Sequence, residues 1–342
     1  HALWLARGKA AADAPSAAAP WRGTEVSLGK PTIAPTRPNQ LLLDYCDIET
    51  ADVRLKDTTT FRADDANWRV QGFAGNPWRL GSVQFRRNWI DHEVDADSPF
   101  RVAYHFEIDP KCPPATRRGI ALAVERPRLY AVKINGRAAD FANAPVWFDE
   151  HMRALPVGRL LKPGANAVEL LAARFHMLCE IKPVYLLGDF GLAAARRGFR
   201  IGAPRPLKLG DWTRQGLPFY PHGVRYAWPF TLEQPAGRLR LELGDWAGSV
   251  ASVRLDGTEA GAILHPPFSL EIAGPIPEGR HEIAVEVIGN MRNMLGPHFS
   301  EGRAGPWSWQ WGAPEAMPSG KAYTLHTSGL LGTPRLLACP LE

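Results

Sequence analysis

A strand pattern that ends in an Asn-Gly turn constrains the fold of this chain more than any other feature. Apolar side chains at alternate positions of residues 130–134 have the period of a half-buried strand. Asn135-Gly136 follows at once, and this dipeptide favours the positive φ angles of a tight hairpin. After an aromatic loop around Trp147, the Pro163-Gly164 turn introduces a second alternating run over residues 168–172. The segment predicts antiparallel strands joined by short turns.

The same plan occurs again later in the chain. Alternating runs over residues 239–243 and 253–255 lead into Asp256-Gly257, which replaces the Asn-Gly turn. A Pro- and Phe-containing loop over residues 265–268 and a last alternating run over residues 283–287 complete it. Two copies at this spacing are too far apart for a solenoid. They predict an all-β protein with two tandem antiparallel β-sandwiches.

Composition agrees with this fold class. The 342 residues suit two domains with connecting segments, and 45% hydrophobic residues are enough for a core in each. The 32 Gly and 31 Pro fall mostly within strand-like patterns, which favours frequent turns. The 12 Trp residues require core packing, carbohydrate stacking, or both as an explanation.

The predicted organisation has four parts. Residues 1–38 are rich in Ala and Pro and are expected to be a linker or the end of a preceding domain. Residues 39–192 form the first sandwich, beginning with one buried strand over residues 40–48. Within it, residues 58–90 hold no clean period and predict a long loop or cap. Residues 193–223 connect to the second sandwich, residues 224–342.

Charge and cysteine content exclude several classes of function. The net charge of +5 comes from scattered basic residues, so no nucleic acid is expected as a partner. No apolar run is long enough for a membrane-spanning helix, so no membrane partner is expected either. The four cysteines lack metal-ligand spacing, and Cys46 and Cys179 lie in apolar runs that predict buried free thiols. The chain opens at His1 without Met, and we therefore expect a piece of a longer protein whose export signal would lie upstream.

Several motifs resemble a known family. The Asn135-Gly136 turn and the later Lys162-Pro163-Gly164 turn resemble those of the sugar-binding jelly-roll domain of family 2 glycoside hydrolases. Residues 39–46 (NQLLLDYC) and 179–190 (CEIKPVYLLGDF) resemble the region after the catalytic domain in family 106 α-L-rhamnosidases and their relatives. The resemblance implies galactose-binding-like jelly rolls in a periplasmic or secreted protein. It also implies that the catalytic carboxylates belong to an upstream (β/α)₈ barrel, a partner domain of the same longer protein.

Aromatic residues are the candidate binding groups. Sugars present C–H faces that stack on aromatic rings, while their hydroxyls bond polar side chains. Asn76, Asn88 and His92 accompany the aromatic residues of the first sandwich. The alternative is that these Trp side chains fill the space between a sandwich and a neighbouring domain. The predicted carbohydrate-binding residues are Trp68, Trp78, Trp89, Trp147, Asn293, His298, Trp307 and Trp309, with Trp311 continuing the last series.

No catalytic residue is predicted. Glycoside hydrolysis needs two carboxyl groups facing each other across a sugar. Carboxylates beside turns, such as Asp149 and Asp189, more often bond backbone N–H groups. The remaining candidates by count alone are Glu150, Glu180, Asp245 and Glu271.

No cofactor is predicted, although a structural calcium is compatible with the resemblance. Galactose-binding-type sandwiches often hold one through loop carboxylates, and Asp44, Asp47 and Glu49 could contribute here. Nothing in the sequence fixes a coordination shell.

Three functions stay open at this point. The first is a non-catalytic part of a glycoside hydrolase that braces the catalytic barrel and contributes to carbohydrate binding. The second is an independent lectin-like module. The third is a small enzyme that uses its own carboxylates, because fold alone does not settle function.

Overall fold

The computed structural model describes residues 23–77, 95–298 and 313–341. Within these ranges the chain forms two β-sandwiches, and the all-β prediction is confirmed. The strands up to residue 172 are β1 (Thr24–Val26), β2 (Thr32–Pro35), β3 (Asn39–Leu43), β4 (Tyr45–Glu49), β5 (Arg54–Thr59), β6 (Asp95–Ala96), β7 (Phe100–Ile108), β8 (Ala121–Glu125), β9 (Ala131–Ile134), β10 (Arg137–Ala138), β11 (Val146–Trp147), β12 (Asp149–Pro156) and β13 (Gly164–Ala172).

The later strands and the short helices complete the described chain. The strands are β14 (Phe175–His176), β15 (Val184–Gly188), β16 (Gly191–Ala194), β17 (Phe199–Gly202), β18 (Gly223–Leu232), β19 (Ala236–Glu242), β20 (Trp246–Ala247), β21 (Val250–Leu255), β22 (Thr258–Ile263), β23 (Ser269–Ile276), β24 (Gly279–Ile288), β25 (Gly329–Leu330) and β26 (Arg335–Pro340). The α-helices are α1 (Thr60–Val70), α2 (Pro114–Arg118) and α3 (Arg292–Leu295). Single 3₁₀ turns cover Pro127–Leu129, Gly158–Leu160, Trp212–Gln215 and Gly320–Ala322.

The two sandwiches share one topology. In the first, one sheet has the order β11-β12-β8-β15-β3, and the other has β10-β9-β13-β7 with β4 beside β7. In the second, the sheets have the orders β23-β19-β26-β1 and β22-β21-β24-β18-β2. Nine strands of the first sandwich therefore have counterparts in the second, in the same chain order. They are β3, β4, β7, β8, β9, β10, β12, β13 and β15, and their counterparts are β1, β2, β18, β19, β21, β22, β23, β24 and β26 respectively. The repeated plan seen in the sequence is a repeated strand order.

The N-terminal strands belong to the second sandwich. Thr24 of β1 lies opposite Ala338 of β26, and Ala34 of β2 lies opposite Arg225 of β18. The first sandwich is therefore inserted between β2 and β18. The prediction that residues 1–38 form a linker is therefore wrong for β1 and β2. The sequence did not reveal these strands because they are too short, and the segment too rich in Pro, to show a strand period. Residues 1–22 lie outside the described ranges.

The expected connecting segment also begins later than predicted. Strands β16 and β17 pair with each other, and β17 runs parallel to β7, with Ile201 opposite Ile108. The first sandwich thus extends to residue 202.

The predicted strand over residues 40–48 is two strands in different sheets. Strand β3 pairs with β15 in one sheet, whereas β4 pairs with β7 in the other. The chain changes sheets at Asp44, whose backbone carbonyl accepts a hydrogen bond from Thr60 N at 2.9 Å. A continuous apolar run cannot reveal such a change, because both strands are buried.

The segment expected to be an irregular loop contains helix α1. The Thr59 hydroxyl accepts the Arg62 N–H at 3.2 Å and caps the helix N-terminus. The buried side chains recur at helical spacing, but they include Asp64 and Asn67 beside Trp68. Because half of this face is polar, the hydrophobic period that marks a helix is absent from the sequence.

Both predicted hairpin turns have the expected backbone geometry. Asn135 and Gly136 have φ angles of 52° and 78°, and Asp256 and Gly257 have 49° and 78°. Positive φ at both central residues is the type I′ arrangement, which matches the twist of the flanking strands. Cys46 and Cys179 are buried free thiols, as predicted.

The insertion predicts that β2 stabilises the second sandwich. Ile33 packs against the core of that sandwich, while the neighbouring Thr32 is exposed. Ile33→Asp should lower the free energy of unfolding by about 2 kcal/mol, because it removes apolar burial and places a charge against the core. Hydrogen exchange of the β18 amides, followed by mass spectrometry, measures the effect locally.

Thr32→Asp is the matched control, with an expected change below about 0.5 kcal/mol. Equal and small effects of both substitutions would show that this segment is a dispensable linker.

Candidate functional site

The edge cavity lies on one side of the first sandwich, where the outer strands of its two sheets diverge. Strands β9 and β10 contribute one wall and β12 the other, and the cavity volume is about 520 Å³. Small-molecule sites typically measure about 300–1,000 Å³. The lining residues are Arg126, Pro127, Arg128, Tyr130, Ala131, Val132, Lys133, Ala138, Ala139, Asp140, Phe141, Ala142, Glu150, His151 and Arg153.

Backbone hydrogen bonds hold the two walls in place. The Asn-Gly hairpin returns the chain so that Ala139 N donates to Val132 O at 2.9 Å. Across the cavity, Arg126 N donates to His151 O at 2.8 Å, which ties the turn at residues 126–129 to β12. The side chains of the site therefore project from paired strands and a bonded turn.

Two aromatic rings supply the apolar part of the lining. The Tyr130 ring meets Phe100 edge to face at a centroid distance of 6.2 Å, and its hydroxyl donates to Glu180 O at 3.4 Å. Burial raises the pKa of Tyr130 well above its ordinary value, so the ring stays neutral. Phe141 is also buried. These rings are fixed by the core, and part of Tyr130 faces the cavity.

Carboxylate and imidazole side chains surround the rings. Asp140 Oδ1 accepts the Ala142 N–H at 2.9 Å, which leaves Oδ2 for another partner. Glu150 and His151 are exposed and contact each other, with 3.4 Å between Oε1 and Nε2. Carboxylate acceptors and an imidazole therefore line the same cavity as the aromatic rings.

Basic side chains also line the cavity. Arg126 pairs with Glu125, which lies just behind the lining. Burial raises the pKa of Glu125, while the nearby Lys182 and Arg126 oppose that rise. Three more cations line the cavity: Arg128 lies on a 3₁₀ turn, Lys133 on β9, and Arg153 on β12.

Trp147 lies on β11, which pairs with β12, and its assignment as a binding residue stays a prediction. Its ring contacts Tyr185 at a centroid distance of 5.3 Å and Phe148 at 5.6 Å. A register shift between β11 and β12 and a φ of 67° at Phe148 turn the chain here, and the Phe148 side chain is 47% exposed. The aromatic loop of the sequence thus projects next to β12.

Trp68 is a core residue, which corrects its assignment to a sugar-binding surface. It has no exposed surface and meets the Phe73 and Phe175 rings edge to face at 5.3 and 4.9 Å. Asn76 is buried too, and its amide donates to Asp64 at 2.6 Å and to Glu180 at 3.1 Å. Neither side chain presents a face to a ligand at the surface.

Asn293 and His298 are buried as well, so their assignment is corrected on the same grounds. The Asn293 side chain donates to His326 O and accepts from His326 N, each at 2.8 Å. His298 Nε2 lies 2.8 Å from Asp44 Oδ2, and the Tyr323 hydroxyl bonds the other oxygen of Asp44 at 3.3 Å. Both residues hold the segment after β24 against the rest of the fold. Outside the described residues lie Trp78, Asn88, Trp89, His92, Trp307, Trp309 and Trp311.

Two of the carboxylates considered for catalysis, Asp149 and Glu180, have structural contacts. Asp149 Oδ1 accepts the N–H groups of His151 and Met152 at 2.8 and 3.3 Å, as expected of a carboxylate at a turn. Glu180 bonds Lys182 at 2.9 Å in addition to Asn76.

The acidic residues considered for calcium do not converge. Asp44 bonds His298, whereas Asp47 bonds His105 at 3.0 Å and the Asp57 N–H at 2.8 Å. Glu49 pairs with Arg54. Among the described residues, no three His, Cys, Asp or Glu side chains are grouped so that they could hold a metal ion.

Sequence reasoning missed most of the edge cavity. Tyr130 entered the sequence analysis only as a strand residue, and Phe141 not at all. The available signal was the pair Arg126 and Arg128 just before the hairpin strand, with His151 after the aromatic loop. Only the pairing of strands brings these distant segments together.

The chain is similar to parts of several solved structures. No family model and no curated protein matches the chain. Among solved structures it is similar to a rhamnosidase from Novosphingobium sp. PP1Y, with 20% identity, a TM-score of 0.28, and coverage of 72% of this chain and 22% of that one. It is also similar to a β-D-mannosidase from Dictyoglomus thermophilum, with 12% identity and a TM-score of 0.28, and the match covers 73% of this chain and 31% of that one. For a glycosyl hydrolase family 2 member from Bacteroides cellulosilyticus DSM 14838, the identity is 12% and the TM-score 0.20, and the match covers 56% of this chain and 24% of that one.

The chain therefore spans between 22% and 31% of the length of these solved chains. In the described part of the chain, no helix is long and apolar enough to cross a membrane.

The two tryptophans of the first sandwich should differ in stability. Trp68→Ala should lower the free energy of unfolding by about 3–5 kcal/mol, because it leaves a cavity in the core. Trp147→Ala should cost about 1 kcal/mol, since this ring is only half-buried. Urea unfolding of both variants measures the difference, and a small effect of Trp68→Ala would contradict its place in the core.

Proposed function

We propose that this chain is a non-catalytic part of a glycoside hydrolase and that it binds carbohydrate at the edge cavity of the first sandwich. The motifs at residues 39–46 and 179–190, which resemble the region after the catalytic domain in α-L-rhamnosidases, support the class. In this proposal the catalytic barrel lies elsewhere in the same longer protein, the two sandwiches brace it, and the protein is periplasmic or secreted.

One observation carries the binding proposal: the edge cavity combines fixed aromatic rings with donors and acceptors on paired strands. Tyr130 offers ring surface to the C–H face of a sugar. Asp140 offers a carboxylate acceptor to the hydroxyls of the sugar, and His151 offers an imidazole that can form a hydrogen bond with them. Sites with a few convergent polar groups on an apolar base are typical of small-ligand recognition. The bonded walls mean that little conformational entropy would be lost on binding.

The other cavities support this choice less well. A cavity of about 630 Å³ beside β1 and β18 includes one aromatic residue, Phe230, which is buried. In a cavity of about 420 Å³ near β5, Arg197 pairs with Asp57 and His105 pairs with Asp47. Charged groups that satisfy each other leave fewer bonds for a ligand.

The carboxylates of the edge cavity are poorly placed for hydrolysis. A general acid in these enzymes sits in an environment that shields it from water. The Glu150 side chain is 84% exposed, and Asp140 uses one oxygen to hold the Ala142 N–H. Both are better suited to bonding hydroxyl groups than to transferring a proton.

An independent lectin-like module is the second candidate. The observation in its favour is that every residue lining the edge cavity belongs to the first sandwich. The site therefore needs no group from another domain in order to bind. This alternative shares the binding site of the main proposal and differs only in whether a catalytic domain accompanies it.

The binding proposal predicts a specific loss in one variant. His151→Ala should weaken binding to rhamnose-containing or other plant polysaccharides by about two- to tenfold, the value of one hydrogen bond. Isothermal titration against a panel of these glycans measures it. His265→Ala is the matched control, because His265 is an exposed histidine of the second sandwich and its ring bonds the adjacent Pro266 carbonyl.

Two results would overturn parts of the proposal. Absence of binding by the unaltered chain across the panel would leave only the bracing role. Hydrolysis of an aryl rhamnoside that is lost in Glu150→Gln or Glu180→Gln would make the chain an enzyme in its own right.

A further inference from the structure

We infer that the ligand of the edge cavity is an anionic saccharide, one that carries a carboxylate or a sulfate on its sugar ring. This inference rests on the proposed carbohydrate-binding function and adds the chemical class of the ligand. The observation behind it is the imbalance of charge around the cavity: four permanently cationic side chains but only two carboxylates line it.

Among the described residues, most of the cations have no counter-ion. Arg126 is paired with Glu125. For Arg128, Lys133 and Arg153, no carboxylate lies within ion-pair distance among residues 23–77, 95–298 and 313–341. Some arginines elsewhere on the first sandwich have carboxylate partners, as Arg101 does with Glu169 and Arg200 with Asp109. The edge cavity instead gathers three unpaired cations around one space.

The unpaired cations come from separate elements that face one space. Arg128 is on the turn at residues 127–129, Lys133 is on β9, and Arg153 is on β12 across the cavity. A cleft with an excess of one sign of charge concentrates ligands of the opposite sign. Guanidinium groups also bind carboxylate and sulfate oxygens through two parallel hydrogen bonds.

The remaining lining selects a saccharide over a bare anion. An inorganic anion would need only the cations, whereas Tyr130 adds ring surface for a C–H face. Asp140 and Glu150 would repel an anion placed against them, so they fit the hydroxyl end of a larger ligand. The cavity thus offers both acceptors and an excess of cations, as a charged sugar requires.

The test uses the full chain and a ligand pair that differs only in charge. Oligogalacturonate should bind about tenfold more tightly than its methyl ester at low salt, and the difference should shrink as salt rises. Arg153→Gln and Arg128→Gln should each reduce this preference, because they should weaken binding of the acid more than binding of the ester. Arg254→Gln, which removes an exposed arginine of the second sandwich, is the control of equal charge and should retain the preference.

Each result has one meaning. Equal binding of acid and ester, together with equal binding of sulfated and neutral galactan oligosaccharides, would overturn the inference while the carbohydrate-binding proposal stands, and binding of none of these glycans would overturn both. A preference for sulfated over neutral galactan oligosaccharides, with no preference for oligogalacturonate, would support the inference with sulfate as the charged group. Binding of inorganic sulfate as tight as that of any oligosaccharide would overturn it.

Discussion

The architecture depends on backbone pairing between the N-terminal strands of the described chain and strands of the second sandwich that lie far along the sequence. Strand β1 completes a sheet with β26, and β2 completes the other sheet with β18. Without these pairs, both sheets of the second sandwich would lose a strand and expose part of their core. The first sandwich is therefore held at both of its ends, because the chain must leave the second sandwich after β2 and return to it at β18. Two tandem motifs in the sequence become one domain inserted into another.

Buried polar side chains fasten the inserted sandwich to its surroundings. The Asn39 amide donates to Phe190 O and Gly216 O at 2.8 and 3.0 Å, and the Gln40 amide donates to Phe219 O at 2.6 Å. Asp44 bonds both His298 and Tyr323, and burial beside Asp44 raises the pKa of Tyr323 well above its ordinary value. Buried groups of this kind must be bonded, so they specify one arrangement of the segments.

The edge cavity follows from the topology. A sandwich closes along its faces but leaves lateral edges where the last strands of the two sheets diverge. In the first sandwich that edge carries the hairpin of β9 and β10 opposite β12, and the side chains there are aromatic, acidic and basic together. A short turn and a backbone bond from Arg126 to β12 fix their positions. The site is thus built on the rigid part of the fold, which is what recognition of a small polar ligand requires.

The sequence by itself determined the class of fold, the hairpins at Asn135-Gly136 and Asp256-Gly257, and the repetition of one strand plan. Local steric preference and a two-residue period set these features, and both are written in neighbouring residues. Only the tertiary structure decided that residues 24–35 close the second sandwich, that the chain changes sheets at Asp44, and that Trp68 is core. It also brought Arg128 and Arg153 to one cavity. These features depend on contacts between residues far apart in the chain, which no local pattern records. Helix α1 was hidden for a different reason, because polar residues such as Asn67 in its buried face interrupt the helical period of apolar residues.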